Sequence, residues 1–466
     1  MRTRQKIRLT LTALTAVLLL GVYLWLLMEE RHGGEGDDSL CIYTLEASSI
    51  ERLTFTGADG LVALRRQDDQ WVWEQEEDFP LNQNFTGTMV AKTAALWAKR
   101  AVAEGEEHFA VYGLDQPSNV ITVTAGDQKK VIYLGSANSA SGDYYMALEG
   151  SGKIYTVDAS FYNIFSGSIL SMAVRESLPD FTIDDMIQVT VTEGEQEIIF
   201  ARETKSNGAE PGRWLVWSRE EGEKSTSGLV EPPVSASPGD ETLVSRLLAQ
   251  IPKLRYEELA AYHPDGQELE ARGLGNHGAR LQVLYQKNGI QEIYSLLIGD
   301  ETGGYRFVYP ENGQGIYKVS ASSLSPFQNL AAEAYLSLSV AQVRREELEG
   351  ITISGESFQT EYTLESQPDG SVLFYHDKEE ITEKEFNSIY FPLYSLTAEK
   401  RVTDIAGQLT RPEALTINYR RLSGLGEDIL VELIAYDQNY YAARVNGKAE
   451  LLVNRQRVNG ILELWK

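Results

Sequence analysis

The same order of secondary-structure signals recurs three times along this chain, and a repeated order constrains the fold more than any single motif. Each repeat opens with paired runs of alternating apolar residues. These are Ile50 to Phe55 with Leu61 to Arg66, Ile187 to Val191 with Ile198 to Ala201, and Ile351 to Ile353 with Tyr362 to Leu364. Trp71-Val72-Trp73, Trp214 to Trp217 and Val372 to Tyr375 follow at matching places. Alternation broken by turn residues predicts half-buried antiparallel strands. A helix comes next in each repeat. Its buried stripe is predicted to hold Met89, Thr93, Leu96 and Trp97 in the first, Leu243, Val244, Leu247, Leu248 and Ile251 in the second, and Phe386, Ile389, Tyr390 and Leu393 in the third. Asp240 is placed to cap the second helix, and Thr382 with Glu385 reads as a capping box on the third. Pro252 should end the second helix, and Pro392 should kink or shorten the third.

Four strands close each repeat: Val120 to Thr124, Val131 to Leu134, Tyr144 to Leu148 and Lys153 to Val157 in the first, with counterparts at Arg280 to Val319 and Ala414 to Val453. Gly150-Ser151-Gly152, Asn312-Gly313 and Asn446-Gly447 read as the turns of the last hairpins, since Asn-Gly favours positive φ. The predicted class is α+β and β-rich: three related units, each an antiparallel sheet with one packed helix. The boundaries are 49–172 for unit one, 173–330 for unit two and 331–466 for a divergent unit three. Glu220 to Gly239 reads as a mobile insertion. Phe161 to Met172 and Phe327 to Ser339 read as bridges between units.

The amino terminus is of another kind. Arg2, Arg4, Lys6 and Arg8 precede an uncharged run of 20 residues, Leu9 to Met28. As a helix it would span about 30 Å, the thickness of a hydrocarbon core. Basic residues before the run, and Glu29-Glu30 after it, predict a cytoplasmic amino terminus and an extracytoplasmic body. The exit Trp25-Leu26-Leu27-Met28 lacks the small residues of a cleavage site, so residues 1–28 are expected to stay as a single-pass anchor in the cell membrane. Residues 29–48 would form a flexible stalk, with Cys41 a lone thiol in it.

Composition removes several functions. The net charge is −26, and more negative still without the four basic residues of the anchor. Such a chain is repelled by nucleic acid and by anionic headgroups. One cysteine and five scattered histidines argue against a disulfide framework and against a metal centre.

Tyr112-Gly113-Leu114-Asp115-Gln116-Pro117, then Leu134-Gly135, Tyr144-Tyr145 and Ile154-Tyr155-Thr156-Val157, resemble the bacterial domain of unknown function 4340 family. Unit two repeats the pattern as Arg272-Gly273-Leu274, Ile298-Gly299, Tyr305 and Ile316-Tyr317-Lys318-Val319. Unit three departs from it, with Arg411-Pro412 and Ala435-Tyr436 at those places. The resemblance covers roughly Ile50 to Leu330 and supplies no catalytic residue. It implies company: such proteins look like accessory partners of ABC-type transport systems, including gliding-motility-type ones.

No residue pattern specifies a reaction. Gly273-Leu274-Gly275-Asn276-His277-Gly278 fits a dinucleotide fingerprint, but a strand and not a helix should follow it, so it reads as a turn. Glu223-Lys224-Ser225-Thr226 lacks the glycines of a phosphate loop. His108 and His263 fall in acidic loops after a helix, and His32, His277 and His376 have no partner at catalytic spacing. Trp71/Trp73, Trp214/Trp217 and Tyr440/Tyr441 could form a glycan- or peptide-binding face, although residues two apart on a strand more often pack a core. No catalytic, cofactor or metal residues are assigned. The expected function is a non-enzymatic extracytoplasmic accessory subunit of an ABC-type transporter complex, with a permease and an ATPase as partners. Gly21 in the anchor would help it pack on a permease helix. The alternatives are an aromatic envelope-binding module and an exported hydrolase.

Overall fold

A computed structural model describes residues 39–203, 212–219, 230–233, 236–275, 278–402, 405–409, 411–423 and 427–465. They form four antiparallel sheets with a few helices, and the β-rich repeated unit is present three times. Unit one contains β1 (Leu40–Thr44), β2 (Arg52–Gly57), β3 (Gly60–Gln67), β4 (Gln70–Trp73), α1 (Gln83–Ala94), β5 (Ala95–Ala98), β6 (Arg100–Glu104), β7 (Asn119–Ala125), β8 (Gln128–Ala137), β9 (Tyr144–Leu148), β10 (Lys153–Val157) and α2 (Ala159–Phe165). Unit two contains β11 (Met186–Glu193), β12 (Gln196–Arg202), β13 (Trp214–Arg219), β14 (Ser237–Pro238), α3 (Glu241–Leu248), β15 (Glu258–Tyr262), α4 (Gly266–Glu270), β16 (Ala279–Lys287), β17 (Ile290–Thr302), β18 (Tyr305–Pro310), β19 (Gly315–Ser320) and α5 (Ala321–Leu324). Unit three contains β20 (Leu348–Gly355), β21 (Gln359–Ser366), β22 (Val372–His376), β23 (Glu379–Ile381), α6 (Glu383–Tyr394), β24 (Lys400–Arg401), β25 (Glu413–Arg421), β26 (Ile429–Ala435), β27 (Tyr440–Val445), β28 (Lys448–Asn454) and α7 (Arg455–Leu462).

The strand order follows one plan, with an outermost strand, β14 or β23, in units two and three that is absent from the described strands of unit one. It runs β4-β3-β2-β7-β8-β9-β10-β6 in unit one, β14-β13-β12-β11-β16-β17-β18-β19 in unit two and β23-β22-β21-β20-β25-β26-β27-β28-β24 in unit three. The small fourth sheet is the pair β1–β5. The described chain divides into two compact bodies: one ends at Glu176 and includes Glu258–Tyr262, and the other holds Ser177–Glu257 and the residues from His263 onward.

Inward-facing residues of each sheet are covered by helices. In unit three, Phe386, Tyr390 and Leu393 of α6, with Val458 and Ile461 of α7, pack on Ile351, Ile353, Ile417 and Val431. In unit one, Phe165 of α2 meets Phe55 of β2 edge-on at 5.6 Å. The opposite sheet face carries smaller clusters. Leu114, Ala147 and Ile154 gather there with Phe109 and Tyr112 in unit one, and Ile405, Ala442, Ala449 and Leu452 with Leu409 in unit three.

The Gly-Leu and Leu-Gly motifs join these layers. A short helical turn over residues 106–112 ends at Gly113, and α4 with its last turn ends at Gly273. Both glycines are left-handed, with φ of 69° and 70°. The next amide reaches back five residues, Leu114 to the Phe109 carbonyl and Leu274 to the Leu269 carbonyl, each at 2.9 Å. That closure satisfies helix-end carbonyls and points a leucine inward. Gly135 and Gly299 then pass so close to the Tyr112 and Arg272 carbonyls that a Cβ would clash with backbone oxygen. The motif is a packing requirement of a capped turn crossing a strand.

A second recurring joint fixes the last helix. Lys99 Nζ bonds Asp143 at 2.7 Å and Asp158 at 3.1 Å, and Asp158 caps α2 by accepting from the Ser160 amide. The Ser160 hydroxyl and amide, followed by Lys99, hold the Asp158 carboxyl down to about 2. In unit three, Asn454 caps α7 and its Nδ2 donates to Glu399 at 3.0 Å.

Several expectations are corrected. The first helix stops at Ala94, and Leu96 and Trp97 lie on β5, because that segment pairs with β1. Leu243 is exposed, on the outer side of α3. α3 ends at Leu248, and Pro252 and the buried Ile251 lie in the 3-10 turn that follows. Pro392 sits inside α6, which runs on to Tyr394. The Asp240 cap and the Thr382–Glu385 box form as expected. Asn446 and Gly447 take positive φ, whereas Asn312 and Gly313 do not; there the Gly313 amide closes on the Pro310 carbonyl. Phe161 to Met172 packs within unit one: Phe161 and Phe165 are buried, and the amide of Asn82 bonds the Met172 carbonyl. The carboxyl end of the expected mobile insertion is packed, with Val230 and Ala236 against Trp217 and residues 237–238 forming β14; residues 220–229 lie outside the described residues.

Gly135→Ala and Gly299→Ala should each lose about 1–3 kcal/mol in urea unfolding, since overpacking against backbone has no side chain to move. Gly87→Ala, on an open helix face, should instead gain up to about 1 kcal/mol. A depressed Asp158 favours the folded chain above the ordinary aspartate range, and that contribution disappears as pH falls toward 2. Asp158→Asn should therefore flatten the acid limb of the stability profile there, measured by thermal unfolding against pH.

Candidate interaction surface

Among the described residues, those singled out from sequence do not converge. His108 is exposed on the 106–112 turn, with Nε2 3.8 Å from Glu107. His263 is exposed, has φ of 46°, and its amide donates to the Gln314 carbonyl at 2.7 Å. His376 stacks on Tyr362 at 4.6 Å, and its Nε2 lies 2.6 Å from Thr360 Oγ1. Asp377 Oδ2 also approaches that nitrogen, at 3.4 Å, so the carboxylate does not orient the imidazole from its far side. His32, His277 and Glu223 to Thr226 lie outside the described residues. Gly273 ends a helical turn and Ala279 opens β16, so this stretch leads into a strand.

The aromatic pairs pack inward. Trp71, Trp214, Trp217 and Tyr441 are buried. Trp73 rests edge-on against Phe79 at 5.3 Å. Arg202 lies 4.0 Å over the Trp214 ring, and burial lowers its pKa. Lys400 covers Tyr440 at 5.0 Å, and Arg455 covers Tyr441 at 4.8 Å.

One aromatic that the periodicity placed inside faces solvent instead. Trp97 is 53% exposed on β5. Its neighbours Leu96 and Ala98 point inward, as strand alternation requires. Across the ladder from Trp97 sits Cys41 of β1, a free and exposed thiol. The Tyr43 ring anchors the inner side of β1: Lys130 lies 5.7 Å over it, and burial pushes its phenol pKa up.

Beside Trp97 the outer face of α1 forms an open groove of about 560 Å³, lined by Asn84, Gly87, Thr88, Ala91, Lys92 and Trp97. The apolar side of α1 is turned to the sheet through Met89, Val90, Thr93 and Ala94. The outward residues are small, so another backbone could approach closely, and Lys92 supplies one positive charge. Unit three lacks this surface: α6 presents Phe391 outward, and Thr397, at the place of Trp97, accepts from Arg457 at 2.7 Å. No local sequence signal exposes Trp97, because its exposure depends on β1 pairing from residues far upstream.

Residues 71–227 and 231–415 match the family model described as domain of unknown function (DUF4340), over more than half of the chain. The match runs past unit two to Leu415 in β25. Comparison with curated proteins gives no match.

Proposed function

This chain belongs to the domain of unknown function (DUF4340) family, and on that footing we propose that it is a non-enzymatic, extracytoplasmic accessory subunit of an ABC-type transporter complex. The observation that carries the reading is the shortness of the tether. Eleven residues separate Met28, the end of the apolar run, from Leu40, the start of β1. Fully extended they reach about 40 Å. The β1–β5 pair and the groove beside Trp97 would therefore stay near the outer membrane–water boundary, where the exposed parts of a permease lie.

The chemistry of the groove suits a protein partner. A half-exposed indole beside a strip of Gly87, Thr88 and Ala91 offers a flat apolar anchor next to a closely approachable helix backbone. The acidity of the chain would hold its body off anionic headgroups and leave protein contact as the means of docking. Among the described residues no helix is long and apolar enough to cross a membrane; the Leu9–Met28 run lies outside them.

A photo-cross-linking residue at position 97, in full-length chain in its native membranes, should capture a permease and recover its ATPase on pull-down. Trp97→Ala should lower that recovery at least tenfold while leaving thermal stability within about 0.5 kcal/mol, as for a surface substitution. Capture of the bait alone, or of wall fragments, would overturn the assignment.

A further inference from the structure

In units one and two, another segment of the same chain pairs with the residues that lead into the first helix. In unit one, residues 172–174 run antiparallel to residues 80–82: the Asn82 amide donates to the Met172 carbonyl at 2.8 Å, and the Val174 amide to the Pro80 carbonyl at 2.6 Å, around the Leu81–Ala173 bridge. In unit two, the Asp240 amide donates to the Tyr335 carbonyl at 2.7 Å, and the Ser337 amide to the Pro238 carbonyl at 2.8 Å, around the Gly239–Leu336 bridge. In both, the paired residues are the three that end at the helix N-cap; in unit two they overlap and continue β14, and in unit one they lie outside the strands of the sheet.

In unit three the corresponding residues are Glu380-Ile381-Thr382, and Thr382 caps α6. β23 is the outermost strand of its sheet, and no described segment pairs with its outer side. Two differences set this edge apart. The Thr382 amide, which in the other units donates to an added strand, here donates to the Glu385 carboxylate at 2.8 Å. The proline of the other two units is replaced by Glu380, which has an N–H. Asp377 and Lys378, with φ of 46° and 75°, form the two-residue turn joining β22 to β23. In such a hairpin the residues next to the turn exchange hydrogen bonds and the following pair does not. Glu380 opposite Tyr375 is that following pair, so its N–H and C=O both point outward. The edge offers one more donor than its two internal precedents.

We propose that the outer edge of β23 is a strand-docking site for an extended segment of a partner protein, with Glu385 as a removable plug on its inner donor. The occupant is defined by the precedents and by charge. It carries a small or apolar residue opposite Ile381, like Ala173 or Leu336, and lysine or arginine beside it, like Arg175, to meet exposed Glu379 and Glu380; Glu383 is already paired with Arg345. A second copy fits poorly. The residues leading into its β1, Asp37-Asp38-Ser39, would bring like charge to this edge. On docking, the Thr382 amide passes from the Glu385 carboxylate to a strand carbonyl, and Glu380 contributes a donor and an acceptor.

The test uses full-length chain in detergent micelles and a labelled peptide copying its own residues 168–177. Saturable binding is expected, several-fold tighter to Glu385→Ala and weaker as salt rises. Methylating the peptide nitrogen at the Val174 position should weaken binding at least tenfold, because that amide would bond the Glu380 carbonyl. Hydrogen exchange should slow at Glu380 and Thr382 on peptide addition. No saturable binding to either chain, an equally strong N-methyl peptide, or protection at residues 80–82 instead would overturn the proposal. Dimerisation without peptide that protects residues 380–382 would overturn it in favour of a second copy.

Discussion

Each unit depends on one requirement: a sheet with an apolar face must be covered by a helix that starts at one edge of that sheet. The helix begins with an N-cap beside the outermost strand and crosses the inner face: Asp240 follows β14, Thr382 follows β23, and Asn82 precedes Gln83, whose side chain bonds the Trp71 backbone of β4. In units one and three the chain then returns along the far edge as β6 and β24. A helix N-terminus leaves amides without intrahelical partners. Here the N-cap amide lies on a sheet edge, where it can be met from outside. The way each unit satisfies that one donor decides whether its edge is closed by its own chain or by a side chain.

The three units keep the geometry and change the chemistry. The joint made by Lys99, Asp143 and Asp158 becomes Glu399 with Asn454, a hydrogen bond without opposite charges. The Gly-Leu turn packed on Gly135 or Gly299 is missing from unit three, where Ile405 and Leu409 cover the same side of the sheet. A backbone approach is replaced by side-chain packing, which is why the motif fades there while the fold remains. What differs between units, Trp97 in one and Glu380 with Glu385 in another, lies at the surface and is not demanded by the core.

Much of the fold was legible because it is local. Strand alternation, the Asp240 cap, the Thr382–Glu385 box and the Asn446-Gly447 turn each depend on residues within one turn or hairpin, and all formed. The misplaced features are non-local. Met89, Thr93, Leu96 and Trp97 satisfy helical spacing, and nothing nearby shows that β1 will draw residues 95–98 into a strand. Phe161 to Met172 looked like a bridge because its buried partners, Phe55 and the Asn82 amide, lie far upstream. The candidate surface was invisible for the same reason: exposure of Trp97 is a property of a pairing made with residues 40–44.

This asymmetry bears on where function resides in a repeat array. Residues that repeat with the unit, such as Gly113 and Gly273 or Leu114 and Leu274, are accounted for by turn closure and burial. They need no ligand to explain them. A side chain that breaks the repeat at an exposed place has no such structural reason. Trp97 stands where unit three has a hydrogen-bonded threonine, and Glu380 stands where units one and two have proline. An indole turned to water costs solubility, and an edge strand with a free donor invites pairing. Neither stabilises the unit that carries it. In a chain whose core positions are set by repetition, the departures at Trp97 and Glu380 are where contact with another molecule is best sought.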